Sequence, residues 1–187
     1  IPISKKYKIP IIEDAAQAIG SRYKNKYAGT FGEIGCFSAH PLKNLNAVGD
    51  SGYLTTNSLK IANFIKDVRN HGMTNRNKVK NFAYVSRMDN LQAAILNFRL
   101  KSLKNIIKKR RENAKIYFKN LDKKYVFIPP EKEKEFNTYH TFVVQVSKRD
   151  QLKKYLLSRG IETSIHYPIP IHLQPAVKKL NYKFENL

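Results

Sequence analysis

Only one cysteine, Cys36, stands among the 187 residues. No disulfide can therefore form within the chain, and nothing points to an oxidising compartment. Long apolar runs are missing too, since none approaches the roughly 18 to 20 residues of a membrane-spanning helix. No basic and apolar leader opens the sequence, so a cytoplasmic location is the default expectation. The first residue is Ile, which suits a fragment or a processed form. Acidic residues are scarce: 14 Asp and Glu stand against 35 Lys and Arg, a formal charge of +21. Such an excess suits nucleic acid, an anionic membrane surface or an anionic small ligand. Here the basic residues are scattered, which fits a solvated lysine-rich surface. Their densest run, residues 108–111, lies in a helical pattern whose other face is apolar. No zinc-knuckle spacing, glycine–arginine tract or basic–aromatic stripe accompanies it, so nucleic acid is not the expected partner.

What is present suits a buried core. Hydrophobic residues at 42% and aromatics at 11% are ordinary for a globular protein. The length allows one sizeable domain or two small ones. Residues 4–8 read as the end of a helix. Residues 9–12 form a short apolar run, Ile-Pro-Ile-Ile, of the kind expected for a strand buried on both faces. Residues 34–39 and 52–56 predict two more strands. Asn57-Ser58 can cap a helix on which Ile61, Ala62, Ile65 and Val68 recur, with Gly72 past its end. Residues 75–84 read as a polar loop. From Met88 a long helical pattern places Leu91, Ala94, Ile95, Phe98 and Leu103 on one stripe, and it continues after a bend through Leu121. Residues 141–146 alternate as a strand does, and 151–158 predict a helix closed by Gly160. The order implies an α/β domain over 1–102 followed by a smaller α+β domain over 103–187.

Two positions stand out chemically. Asp14 ends a presumed parallel strand, the edge where open α/β sheets place their ligands. Lys43 lies in "GCFSAHPLKNLNAVGDSGYLTT", residues 35–56, in the loop between two strands. A loop lysine is most often merely solvated. Beside a serine hydroxyl and glycines that let a ligand approach the backbone, it also matches a need of pyridoxal phosphate. That cofactor takes a lysine for its Schiff base and a carboxylate for its pyridinium nitrogen.

The stretch 11–56, with "RNHG" (69–72), "SRMDNLQAAIL" (86–96), "RRENAKIY" (110–117) and "HYPIPIHLQPA" (166–176), resembles the DegT/DnrJ/EryC1/StrS family. These are the pyridoxal-phosphate-dependent nucleotide-sugar aminotransferases. The resemblance implies a fold-type I transferase: part of a three-layer αβα large domain, then an incomplete small domain. Family members are longer, so the N-terminal half of the large domain and the end of the small one are expected to be missing here.

Roles follow from the resemblance residue by residue. Lys43 matches the lysine that anchors the cofactor and moves the proton. Asp14 matches the aspartate that keeps the pyridine nitrogen protonated, whereas its neighbour Glu13 is expected to be structural. Gln17 matches the residue at the phenolic oxygen or against the ring, and Ser38 a hydroxyl that binds the phosphate. His166, Tyr167 and His172 match a block near the sugar-nucleotide site, with packing between domains the equal alternative. His40 and His71 stand undecided between structure and active-site lining.

The sequence departs from the family's pattern at two places. Val85 stands where many relatives carry an asparagine that reaches the cofactor phosphate of the partner subunit, and Ser51 replaces a glycine of "GDGG". Lys43 itself favours transamination over the family's dehydratase branch, which has histidine there. The implied reaction moves an amino group, from glutamate, to a nucleotide-linked keto sugar in a homodimer. Dehydration, an amino-cyclitol substrate, or a basic nucleic-acid-binding domain remain the alternatives.

Overall fold

The computed structural model describes residues 2–178 and residue 180. The chain divides into two compact units, Ile1–Val144 and Gln145–Leu187. In the first, helix α1 (Pro2–Tyr7) leads to strand β1 (Ile12–Asp14), the hairpin β2 (Arg22–Tyr23) and β3 (Lys26–Tyr27), and strand β4 (Ile34–Ser38). Strand β5 (Gly52–Thr55), helix α2 (Leu59–Val68) and the hairpin β6 (Met73–Asn75) and β7 (Lys78–Val79) follow. Helices α3 (Asn90–Leu100) and α4 (Leu103–Asn120) and strand β8 (Glu135–Phe136) complete the unit. The second unit holds helix α5 (Arg149–Ser158), a 3₁₀ turn over Ile171–Leu173 and helix α6 (Pro175–Lys178).

A mixed sheet of order β1-β4-β5 organises the first unit, with β1 parallel and β5 antiparallel to β4. The β2–β3 hairpin is extended by β8 into a second sheet. The core is small and lies against the helices. Ala39, Leu45 and Ala47, from the loop after β4, pack with Leu96 of α3 and with Leu103 and Ile107 of α4. Fully burying a Leu or Ile side chain is worth about 1.5–3 kcal/mol. The loop that carries Lys43 is thus itself part of the core.

Local rules account for the elements that match expectation. Ser58 caps α2, its hydroxyl accepting the Ile61 N–H at 3.3 Å. Gly72 takes φ +69° past the end of α2, and a Cβ there would collide with the Asn81 carbonyl. Gly20, at φ +80°, lets the turn after β1 lie on α4, since a Cβ there would come within 2.6 Å of Ile107 Cδ1.

Four expectations are corrected. The strand expected at 9–12 begins only at Ile12, and it is not buried on both faces: Ile9 is 57% and Ile12 64% exposed. Pro10 has no N–H to give a ladder, and the Ile11 N–H goes to the Glu33 carboxylate at 2.5 Å. The polar stretch 75–84 is a loop only from residue 80 on, since 75–79 belongs to the β6–β7 hairpin, where the Asn77 N–H closes on Asn75 Oδ1 at 3.0 Å. The strand expected at 141–146 is not formed. Phe142 stacks instead on Tyr117 and meets Phe118 edge-on, while Val143 stays 55% exposed. The stripe of α3 is rotated: Leu91 and Phe98 are 69% and 73% exposed, and the buried face carries Leu96.

Candidate functional site

Parallel pairing of β1 with β4 sets Asp14 opposite Cys36. Both strands therefore leave the sheet at the same edge, where Asp14 ends β1 and Ser38 ends β4. The side chain of Asp14 is exposed, and one carboxylate oxygen accepts the Ala16 N–H at 3.0 Å. Gln17 is exposed in the turn just beyond. Glu13 behaves differently. Its carboxylate accepts the N–H groups of Gly29 at 2.8 Å, Gly32 at 2.6 Å and Phe31, and so closes the loop 29–32.

Beyond Ser38 the backbone turns sharply and is tied at every step. Ala39 is fully buried, donates its N–H to Ser51 O at 2.7 Å and accepts the Ala47 N–H at 2.8 Å. The Ser38 hydroxyl oxygen accepts the His40 N–H at 3.3 Å. Lys43 closes a turn by donating its N–H to His40 O at 2.8 Å, and its half-buried side chain leaves from there. Among the described residues neither Lys43 nor Asp14 takes part in an ion pair. His40 lies in the same turn, with Nδ1 accepting the Leu42 N–H at 3.2 Å and Nε2 at 3.8 Å from Asp50 Oδ1.

Residues outside the loop hold it as well. Asn44, only 3% exposed, donates to Thr138 O at 3.3 Å. From α3, Gln92 Oε1 accepts the Val48 N–H at 2.9 Å, and Arg99 Nη1 donates to Asn46 O at 2.8 Å and Ala47 O at 3.5 Å. The sequence reading missed Gln92 and Arg99. A signal was present, because Gln92 and Arg99 share one face of α3, at i, i+4, i+7 spacing, with the apolar and buried Leu96. Ser51 has a buried Oγ with no hydrogen-bond partner among the described residues. Its neighbour Tyr53 stacks on Phe37 with centroids 5.0 Å apart, and burial pushes its phenol up to about 12.

Lys43, Asp14, Ser38 and Gln17 thus belong to one unit, around one end of one sheet. His166, Tyr167 and His172 belong to the other. There the His166 and Tyr167 rings meet edge-on at 5.3 Å, and His172 sits in the exposed 3₁₀ turn. His71, at φ 60°, leads into the β6–β7 hairpin with its N–H on Tyr84 O.

A profile of the DegT/DnrJ/EryC1/StrS aminotransferase family matches residues 2–187. The chain is 36% identical to a "pleiotropic regulatory protein" of Geobacillus stearothermophilus, over 97% of this chain and 50% of that protein. It is 39% identical to a dTDP-3-amino-3,6-dideoxy-α-D-galactopyranose transaminase of Aneurinibacillus thermoaerophilus, over 93% and 48%. NtdA from Bacillus subtilis, solved with bound cofactor PMP, is 33% identical and superposes with a TM-score of 0.84, over 95% of this chain and 42% of that one. The chain spans about half the length of the curated relatives it matches. The expected α/β fold, part of a fold-type I transferase, stands on this likeness.

Proposed function

Since the chain belongs to the DegT/DnrJ/EryC1/StrS aminotransferase family, we propose that it is the lysine-bearing part of a pyridoxal-phosphate-dependent sugar aminotransferase. The enzyme would move an amino group from glutamate to a keto sugar carried on a nucleotide, in making surface-polysaccharide or natural-product sugars. The observation that carries this reading is the pairing of two unneutralised groups on one sheet edge. Among the described residues neither is in an ion pair: the carboxylate of Asp14 ends β1, and the amine of Lys43 follows β4 on a loop fixed by the core. The support from outside is the transaminase and the PMP-bound relative described above.

The donor set fits the cofactor. When bound, pyridoxal phosphate supplies an electron sink for the bonding pair released at the substrate carbon. The residues supply the rest. Asp14, with one oxygen on the Ala16 N–H, keeps its other oxygen to hold a proton on the ring nitrogen. Ser38 accepts the His40 N–H, which leaves its own O–H to donate to a phosphate oxygen. Gln17 offers an exposed amide to the ring's phenolic oxygen. Lys43 would anchor the group through its amine and carry the proton to and from the substrate carbon. His166, Tyr167 and His172 are assigned to the sugar nucleotide, for which their exposed rings are available. Val85, 58% exposed, has no polar atom with which to reach a phosphate across a dimer.

Residues 1–102 are read as the second half of the large domain and 103–187 as part of the small one. The whole protein is read as a cytoplasmic homodimer. No described helix is long and apolar enough to cross a membrane. The charge of +21 would draw in the diphosphate of the substrate. The test is transfer of nitrogen from ¹⁵N-glutamate to a keto sugar nucleotide by the protein carrying this chain, with Lys43→Ala as control. Labelled amino sugar from the unaltered protein alone supports the reading. A dehydrated product, or salt-sensitive DNA binding with no cofactor absorbance, would replace it with one of the alternatives.

A further inference from the structure

We infer that Gln92 and Arg99 of α3 are positioning residues for Lys43. They act by clamping the backbone of the loop that returns from the lysine to β5. The inference rests on the reading of Lys43 given above.

Loop 39–51 has two kinds of anchor. The apolar anchors, Leu45 and Ala47, bury side chains, but apolar contact is not directional and permits sliding. The polar anchors fix orientation. Gln92 takes the N–H of Val48, and Arg99 gives charge-assisted bonds to the carbonyls of Asn46 and Ala47. Two consecutive peptide units, 46–47 and 47–48, are thereby held from one helix face. On the inner side, the Ala47 N–H is held by Ala39 O and the Asn46 amide by Pro41 O, 2.5 Å away. Force on 46–48 is therefore transmitted to 39–41, the turn from which Lys43 projects.

Arg99 is informative in another way. It is half-buried, and among the described residues it has no carboxylate partner. Its charge is directed at backbone carbonyls of the lysine loop. Gln92 also packs close to Gly49, where a Cβ would stand 3.1 Å from its amide nitrogen, so the contact has little slack. A reactive group must be held within about 0.5 Å of its productive position, and the shell around it does the holding. Gln92 and Arg99 are that shell for Lys43.

The experiment uses the full chain and four variants: Gln92→Leu, Gln92→Glu, Arg99→Leu and Arg99→Lys. Two quantities are read. One is hydrogen exchange over residues 43–48 and, separately, over α4. The other is the share of pyridoxyl label on Lys43 after exposure to pyridoxal phosphate and borohydride. Both leucine variants are expected to speed loop exchange about tenfold while α4 exchange is unchanged. They are also expected to move label from Lys43 to other lysines. Gln92→Glu keeps the acceptor for Val48 and Arg99→Lys keeps one charged donor, so both should hold label nearer the unaltered level. Unchanged exchange and labelling in the leucine variants would overturn the clamp. So would equal loosening of loop and α4, which would make these residues ordinary members of the core. Absence of label on Lys43 in the unaltered chain would instead overturn the reading of the lysine, and the positioning role with it.

Discussion

Glu13 and Asp14 are consecutive residues of one strand, and their carboxylates have opposite surroundings. Glu13 accepts three backbone N–H groups from loop 29–32, whereas among the described residues the exposed Asp14 accepts one, from Ala16. Strand alternation is the cause, since neighbouring side chains leave opposite faces. One carboxylate therefore holds the fold, and the other is the one proposed for the cofactor.

Glu13→Ala should destabilise the chain by about 1–3 kcal/mol, because three part-buried N–H groups lose their acceptor. Urea unfolding measures this directly. A midpoint unchanged from the unaltered chain would contradict the structural role.

Asp14→Asn should unfold at the same urea concentration as the unaltered chain but lower kcat/KM for amino transfer by about 10²–10³-fold, the scale of a lost preorganised electrostatic group. An amide cannot balance a positive ring nitrogen. Near-normal rates would remove Asp14 from the mechanism.

Much of this was legible in the sequence, for identifiable reasons. Strands β4 and β5 and the Ser58-capped α2 have clear periods and clear ends, and the structure has them within one or two residues. The places of Asp14 at the end of β1 and Lys43 in the loop after β4 were legible from the strand pattern, while their proposed roles came from the family resemblance. The start of β1 was misread because Pro10 and the diverted Ile11 N–H do not alter the hydrophobic pattern. The face of α3 was misread because its apolar residues surround the helix, and the buried side includes Gln92 and Arg99. Their bonds reach across 44 and 53 residues, a separation at which local pattern carries no information.

The pair Arg111–Glu131 predicts acid sensitivity. Arg111 Nη1 and Nη2 reach the two Glu131 oxygens at 2.7 and 3.1 Å, and the Asn137 N–H adds a third bond. Burial alone would raise the Glu131 carboxyl. The hydrogen bonds from Arg111 and Asn137 and the Arg111 charge outweigh it and hold the group below its usual range. A depressed carboxyl stabilises the fold above its unfolded value, about pH 4, and the gain disappears as pH falls through the folded value. Glu131→Gln should therefore cost about 1–3 kcal/mol at pH 7, and the difference from the unaltered chain should shrink in acid. A difference independent of pH would contradict this account.

Ile107→Ala should cost about 2–5 kcal/mol, since Ile107 is 9% exposed in the core and rests on Gly20. The same cavity removes support from the loop that carries Lys43. Thermal unfolding checks the first effect, and faster hydrogen exchange over residues 39–47 the second.

The most direct test is to mix the protein carrying this chain with pyridoxal phosphate, reduce with borohydride and map the modified peptides. The account predicts one dominant pyridoxyl site, at Lys43, which Lys43→Ala abolishes without a new dominant site appearing. Label distributed over the many lysines according to their exposure, with Lys43 no richer than the rest, would contradict it.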